Sequence, residues 1–197
     1  MHAPLNTPSP HPTVVDWEKA GYRYFAYNLQ LRSIFGQRVQ KVSIDAGFTC
    51  PNVDGTVAIG GCTFCDNRSF SPSRRIPRQD IHEQIDEGIQ GLRRRYKCDQ
   101  FIAYFQPATN TYAAVQLLEP LYRTALGHED VVGLSVGTRP DCVEEDVLEL
   151  LEQLDAFLLG PAEAQPELPA RALALVANLD PGVDLSPAAV GAVAAAV

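Results

Sequence analysis

The sequence predicts an α/β fold in which a leading helix is followed by three strand–helix units. Two observations predict it. Short apolar runs at residues 39–44 (VQKVSI), 101–105 (FIAYF) and 131–136 (VVGLSV) alternate with longer stretches whose apolar residues recur at helical spacing. Strands separated in this way by helices pair in parallel through right-handed crossovers.

The elements follow in order. Residues 1–15 lack the basic start and apolar run of a secretory leader and read as a Pro-rich disordered segment. Residues 16–35 are expected to be a helix rich in aromatics, among them Trp17, Tyr22, Phe25 and Tyr27, which Gly36 stops. Residues 39–44 alternate apolar and polar, the period of a half-buried strand. A loop with three cysteines comes next, then Arg- and Ser-rich coil up to Arg78.

Asp80 has the side chain of a helix N-cap, and Glu83, three residues on, completes a capping box. Ile81, Ile85, Ile89, Leu92 and Tyr96 then share one helix face. Arg93, Arg94 and Arg95 fall in the last turn, where positive charge complements the helix dipole. A second helix is predicted over 113–126, with Pro120 as a kink or a fresh first turn. A third is predicted over 143–154, with Asp141 as its cap. After Asp155 the composition changes: residues 161–197 hold twelve Ala and five Pro and no aromatic. No further strand–helix unit is predicted there, so the sheet is expected to end at three strands with an exposed edge.

The net charge of −8, from 16 Lys and Arg against 24 Asp and Glu, gives the chain no overall attraction to DNA or to an anionic membrane. No apolar run is long enough to span a bilayer as a helix. Five cysteines, an odd number with three clustered, fit metal ligation in a reducing cytoplasm better than a secreted disulfide framework. The three are Cys50, Cys62 and Cys65, in CPNVDGTVAIGGCTFC. Structural zinc would want a fourth ligand, for which His82 and Cys98 are nearest in sequence. An iron–sulfur cluster is held typically by cysteine thiolates. A Cys62–Cys65 redox pair has the right spacing, but precedes coil rather than opening a helix. The spacing leaves all three readings open. Ligands in parallel α/β folds gather beyond the carboxyl ends of the strands. The cysteine loop, QPATNT (106–111) and GTRPD (137–141) each follow a strand and are therefore expected to meet there.

Four stretches, KVSIDAGFTCPNVDGT, GGCTFC, FIAYFQPATNTYA and GLSVGTRPDC, carry a family resemblance. Residues 22–155 resemble the radical S-adenosylmethionine (SAM) superfamily, and within it an uncharacterised family related to the elongator catalytic subunit. The resemblance implies a partial (β/α) barrel of radical SAM type. It also implies a 4Fe–4S cluster on Cys50, Cys62 and Cys65, with one iron open to SAM. Reductive cleavage of SAM to a 5′-deoxyadenosyl radical would draw its electron from an external donor. Phe64 matches the aromatic near the adenine. Gln106 and Asn110 stand in the segment that corresponds to the Gly-rich motif holding the SAM amino group, although its glycines are absent. Arg139 is a candidate for a carboxylate or phosphate, with a salt bridge to Asp141 as the alternative. Gly137 stands where elongator-like relatives have a glutamate. Cys142 is expected to pack in the core and Cys98 to be incidental.

Those relatives act on tRNA, so RNA is a candidate substrate, with Arg74, Arg75, Arg78 and Arg93 to Arg95 as the cations; neither DNA nor a membrane is expected as a partner. The family pattern stops near Gly160, before the ELGLQS-like segment of the later strands. Residues 156–197 are thus expected to be a replaced or out-of-frame tail, and the chain alone is expected not to turn over substrate. The alternative is a non-catalytic iron–sulfur or zinc-binding fragment.

Overall fold

The computed structural model describes residues 17–24, 26–66, 69, 80–158 and 172–177. The elements are α1 (Tyr27–Phe35), β1 (Val39–Ile44), a single-turn α2 (Pro51–Asp54), α3 (Ile81–Tyr96), β2 (Gln100–Phe105), α4 (Val115–Leu126), β3 (Val131–Thr138), α5 (Glu145–Leu158) and β4 (Ala172–Ala177). All three strand pairings are parallel, in the order β1-β2-β3-β4. The architecture is therefore mixed α/β with a parallel sheet, as the alternation of patterns predicts.

The sheet has one strand more than expected. Residues 172–177 (ALALVA) pair with Gly133 to Thr138 of β3. An apolar hexapeptide has strand length, but the Ala-rich composition around it hides the strand signal. The leading helix is shorter than expected. Residues 17–22 form a turn, in which Gly21 N–H donates to Glu18 O and Tyr22 N–H to Trp17 O, and α1 begins only at Tyr27. Gly36 ends it in the left-handed conformation, as expected. Asp141 does not cap α5. Arg139 takes its carboxylate, residues Pro140–Cys142 make a 3₁₀ turn, and the helix starts at Glu145. Residues 1–15 and most of the Ala/Pro-rich tail lie outside the described residues.

The local signals of α3 hold in full. Asp80 Oδ1 accepts from His82 N–H at 2.8 Å, and Glu83 Oε2 accepts from Asp80 N–H at 3.3 Å. Ile81, Ile85 and Ile89 are buried, with Leu92 and Tyr96 half-buried at the end of the same face. In α4, Pro120 sits inside the helix at an exposed position.

Helices α3, α4 and α5 cover one face of the sheet. Val42, Ile44, Phe101, Ala103, Phe105, Leu134 and Val136 bury there against Ile85, Leu118, Tyr122 and Leu154. Each large apolar side chain removed from water contributes about 1.5–3 kcal/mol. The alternate residues of the strands point to the other face. At its amino end α1 closes that face, with Leu31 and Phe35 on Val39, Ile102 and Val132. Nearer the carboxyl ends the same face turns polar, with Lys41 and Ser43 on β1, Tyr104 on β2 and Gln106 just beyond it.

The approach of α3 to β1 sets a steric test. A Cβ on Gly88 would overlap Cγ2 of Val42. Gly88→Ala is expected to lower stability by about 1–3 kcal/mol despite the better helix propensity of Ala, because overpacking outweighs it. Adding Val42→Ala should restore part of that loss. Urea midpoints of the three variants check the coupling; a Gly88→Ala chain as stable as the parent would contradict the contact.

Candidate functional site

The carboxyl end of β1 is fixed by one buried side chain of α3. Gln84 donates from Nε2 to Asp45 O at 2.9 Å and accepts from Asp45 N–H on Oε1 at 2.8 Å. The chain then reaches Cys50, which starts the single turn α2 with Pro51 at its first position. The residues after it fold back on this turn. Val57 N–H donates to Pro51 O at 2.9 Å, Gly61 N–H to Asn52 O at 2.7 Å, and Asp54 bridges Ile59 in antiparallel fashion. Gly60 and Gly61, at φ 87° and 88°, allow the reversal that brings the second half of the loop home. Thr56 N–H donates to Asp54 Oδ1 at 3.0 Å, which holds the Asp54 carboxyl below its usual range. The tip is moored by a hydrogen bond of 2.8 Å between the hydroxyls of Thr56 and Tyr112.

The ends of β2 and β3 meet beside this loop. Asn110 is fully buried, and its Nδ2 donates to Phe105 O at 3.1 Å and to Gly137 O at 2.8 Å. Its Oδ1 is buried with no hydrogen-bond partner among the described residues. Tyr122 of α4 supports the same residue. The ring stands edge-on to Phe105 at 5.1 Å, and the hydroxyl donates to Asn110 O at 2.6 Å. Burial raises the Tyr122 hydroxyl well above its ordinary pKa, so it remains a donor. Thr111 and Thr138 bond through their hydroxyls, and Thr111 also donates to Cys142 O.

Two sequence departures acquire a geometric meaning here. A Cβ on Gly137 would lie 3.1 Å from Phe105 O and 3.3 Å from Gln106 O, so the backbones pass at a distance that favours glycine. Ala108, in the segment without glycines, nonetheless takes a left-handed φ of 64°. That conformation costs an L-residue about 1–2 kcal/mol and is often stored at functional sites.

These contacts bring the three strand-end segments together, as the topology predicts. Thr109 N–H donates to Thr49 O at 3.1 Å, next to Cys50. Arg139 clamps Asp141 with two bonds, of 2.9 and 2.7 Å, and stands near Cys50. The Asp141 pair raises the Arg139 pKa further, and Arg139 in turn holds the Asp141 carboxyl below its usual range.

The five cysteines fall into two classes. Cys98 and Cys142 are buried, and burial pushes the Cys142 thiol up to about 11 and raises that of Cys98. Cys50 and Cys62 are half-buried and Cys65 is exposed. All five are free thiols. Asn52 Nδ2 donates to Cys62 Sγ at 3.0 Å, which orients that side chain within the loop. Cys65 N–H donates to Cys62 O at 3.0 Å, so the C-x-x-C stretch is a tight turn. The donor set thus fits an iron–sulfur cluster in kind: three accessible thiols on one self-closed loop, with an amide aimed at sulfur. Among the described residues no three His, Cys, Asp or Glu side chains gather to ligand distance. Cys98 lies just before β2, at the amino end of the sheet, opposite the cysteine loop. It is thereby removed as a fourth ligand for zinc.

Of the other predicted residues, Phe64 is 74% exposed in the Cys62–Cys65 turn, and Gln106 accepts from Ser43 Oγ on Oε1 at 2.9 Å. Arg93 pairs with Asp99 and Asp130, and Arg95 lies over Tyr96. This run ends α3 and so sits at the amino end of the sheet, away from the cysteines; Arg74, Arg75 and Arg78 lie outside the described residues. Sequence reasoning passed over Asn52, Thr111 and Tyr122. A Pro–Asn pair directly after Cys50 was the one available hint of a turn that points an amide back over the loop.

The fold and the site thus define a mixed α/β protein with a three-cysteine loop at the carboxyl end of a parallel sheet. The chain is similar to an uncharacterised protein of Bacillus subtilis, YtqA, at 42% identity over 133 residues, covering 68% of this chain and 41% of the relative. Protein YhcC of Escherichia coli is 44% identical over 117 residues, 59% of this chain and 37% of YhcC. An uncharacterised protein of Methanocaldococcus jannaschii, MJ0486, is 33% identical over 136 residues, 68% of this chain and 40% of the relative. The chain spans about two fifths of the length of these curated relatives. No family model and no solved structure matches it.

The Asn110 clamp yields a prediction. Asn110→Ala is expected to cost about 2 kcal/mol in urea unfolding, through the lost bonds to Phe105 O and Gly137 O. Asn110→Asp should cost more, since a buried carboxylate would face two carbonyl oxygens. An Asn110→Asp chain as stable as the parent would contradict the assignment of the amide.

Proposed function

We propose that this chain carries the cluster-binding part of a radical SAM enzyme, with Cys50, Cys62 and Cys65 as ligands of a 4Fe–4S cluster. The observation that carries the reading is the convergence at one sheet end of the cysteine loop with the segments after β2 and β3. The four parallel strands are read as part of a (β/α) barrel whose inner face carries Lys41, Ser43 and Tyr104. A reducing cytoplasm suits the five free thiols.

The chain's own residues divide the work. The self-bonded loop carries the three cysteines whose thiolates would hold the cluster, and three such ligands would leave one iron without a protein ligand. Asn52 orients Cys62, and Arg139 places positive charge beside Cys50. Gln106 is the proposed polar contact to SAM at the end of β2, with Phe64 as the apolar lid over the adenine; the Arg139 guanidinium is already held by Asp141, the salt bridge named as the alternative to a ligand carboxylate. Asn110 is a positioning residue in this scheme, because its amide N–H groups hold the strand ends. When bound, the cluster supplies the electron, taken from an external donor, that cleaves SAM reductively. RNA stays a candidate substrate on resemblance alone.

Anaerobic reconstitution with iron and sulfide tests the ligand set. The parent chain should turn brown, absorb near 400 nm and hold about four irons. Cys50→Ala, Cys62→Ala and Cys65→Ala should each lose most of that absorbance, while Cys98→Ala keeps it. A colourless chain with one tightly held zinc would overturn the proposal and favour a non-catalytic metal-binding role.

A further inference from the structure

Lys41 occupies an unusual position for a cation. It stands on the sheet face turned away from α3–α5, between two phenol rings. Its Nζ lies 4.4 Å from the ring centroid of Tyr104 and 5.3 Å from that of Tyr27. No carboxylate pairs with it among the described residues. Lys41 is exposed as a whole residue, but partial desolvation of its ammonium lowers its pKa, and burial is the main cause that raises those of the Tyr27 and Tyr104 hydroxyls, which remain O–H donors.

A groove of about 530 Å³ opens here, in the size range of small-molecule sites. Among the described residues that line it, Lys41 is the sole charged one. The remaining polar lining includes Asn28, Ser43 and Gln106. In a chain with 24 Asp and Glu against 16 Lys and Arg, a groove with one cation and no carboxylate is set apart from the general surface. An ammonium has three N–H donors. Two aromatic faces attract the charge but satisfy it less well than an oxyanion does.

We propose that this groove binds an oxyanion, a phosphate or carboxylate carried by a small molecule, on Lys41, with Tyr27 and Tyr104 flanking the charge. Gln106 places the upper end of the groove at the carboxyl end of β2, beside the segment that meets the cysteine loop. A molecule anchored at Lys41 therefore extends toward that loop. Its identification as the substrate rests on the radical SAM reading; the anion binding does not.

The test uses the full chain without iron, so its outcome is independent of cluster reconstitution. Inorganic phosphate, adenosine monophosphate and succinate serve as probes in titration calorimetry. Mass spectrometry follows protection of Lys41 from acetylation. Phosphate and the nucleotide binding without succinate would identify a phosphate source, and succinate alone a carboxylate source; either supports the proposal. Lys41→Met should weaken binding at least about tenfold at an unchanged urea midpoint, whereas Lys41→Arg, which keeps the charge, should bind more tightly than Lys41→Met. Failure of all three probes to bind or protect at about 10 mM, which bounds affinity below the weakest useful range, would overturn it. So would equal binding by the parent and Lys41→Met.

Discussion

The carboxyl ends of β2 and β3 are held together by one buried amide, and the site depends on it. Asn110 donates to a carbonyl at the end of each strand, while Tyr122 of α4 donates to the Asn110 carbonyl from below. The adjacent residue, Thr109, donates to Thr49. The position of Cys50 is thus tied to the junction of β2 and β3 as well as to β1. Arg139, at the end of β3, is held by Asp141 and stands near Cys50. A buried side chain with its donors satisfied and its acceptor unpartnered is an expensive arrangement. It is tolerable because Gly137 lets the two backbones approach and because the Phe105–Tyr122 packing fixes the geometry around it.

The cysteines behave differently from one another. Burial raises the thiols of Cys98 and Cys142, so both act as small buried residues. Cys50, Cys62 and Cys65 sit on a loop that makes most of its hydrogen bonds to itself, with backbone rather than thiols holding its shape. The placement of Cys98 at the far end of the sheet removes it as a fourth zinc ligand, whereas His82, in the first turn of α3, lies at the same sheet end as the cysteine loop.

Legibility in the sequence followed the range of the interaction. The capping box of Asp80 and Glu83, the isoleucine stripe of α3 and the period-two pattern of β1 are local, and each is found where the pattern places it. The early aromatics misled: Trp17 and Tyr22 suggest a longer α1, but Gly21 turns the chain before the helix starts. Asp141 reads as a cap only if its neighbour is ignored, since Arg139 competes for the carboxylate and wins with two charged bonds. β4 was hidden by the alanines around it. The place of the three-cysteine loop, beyond the carboxyl end of β1, was legible from the strand pattern that precedes it. Asn52 and the Thr111–Thr138 pair were not, because their partners lie ten or more residues away and depend on how the strands come together.

The two faces of the sheet divide the protein's tasks. One face, under three helices, is the core; the other passes from an apolar plug beneath α1 to a polar surface leading to the cysteine loop. The central claim is that three thiolates on this loop hold a cluster with one position open to SAM. Electron paramagnetic resonance of the anaerobically reconstituted, dithionite-reduced chain, recorded with and without SAM, tests it most directly. The account predicts a reduced-cluster signal whose shape changes when SAM is added, because SAM ligates the open iron. A reduced-cluster signal that SAM leaves unchanged would contradict it.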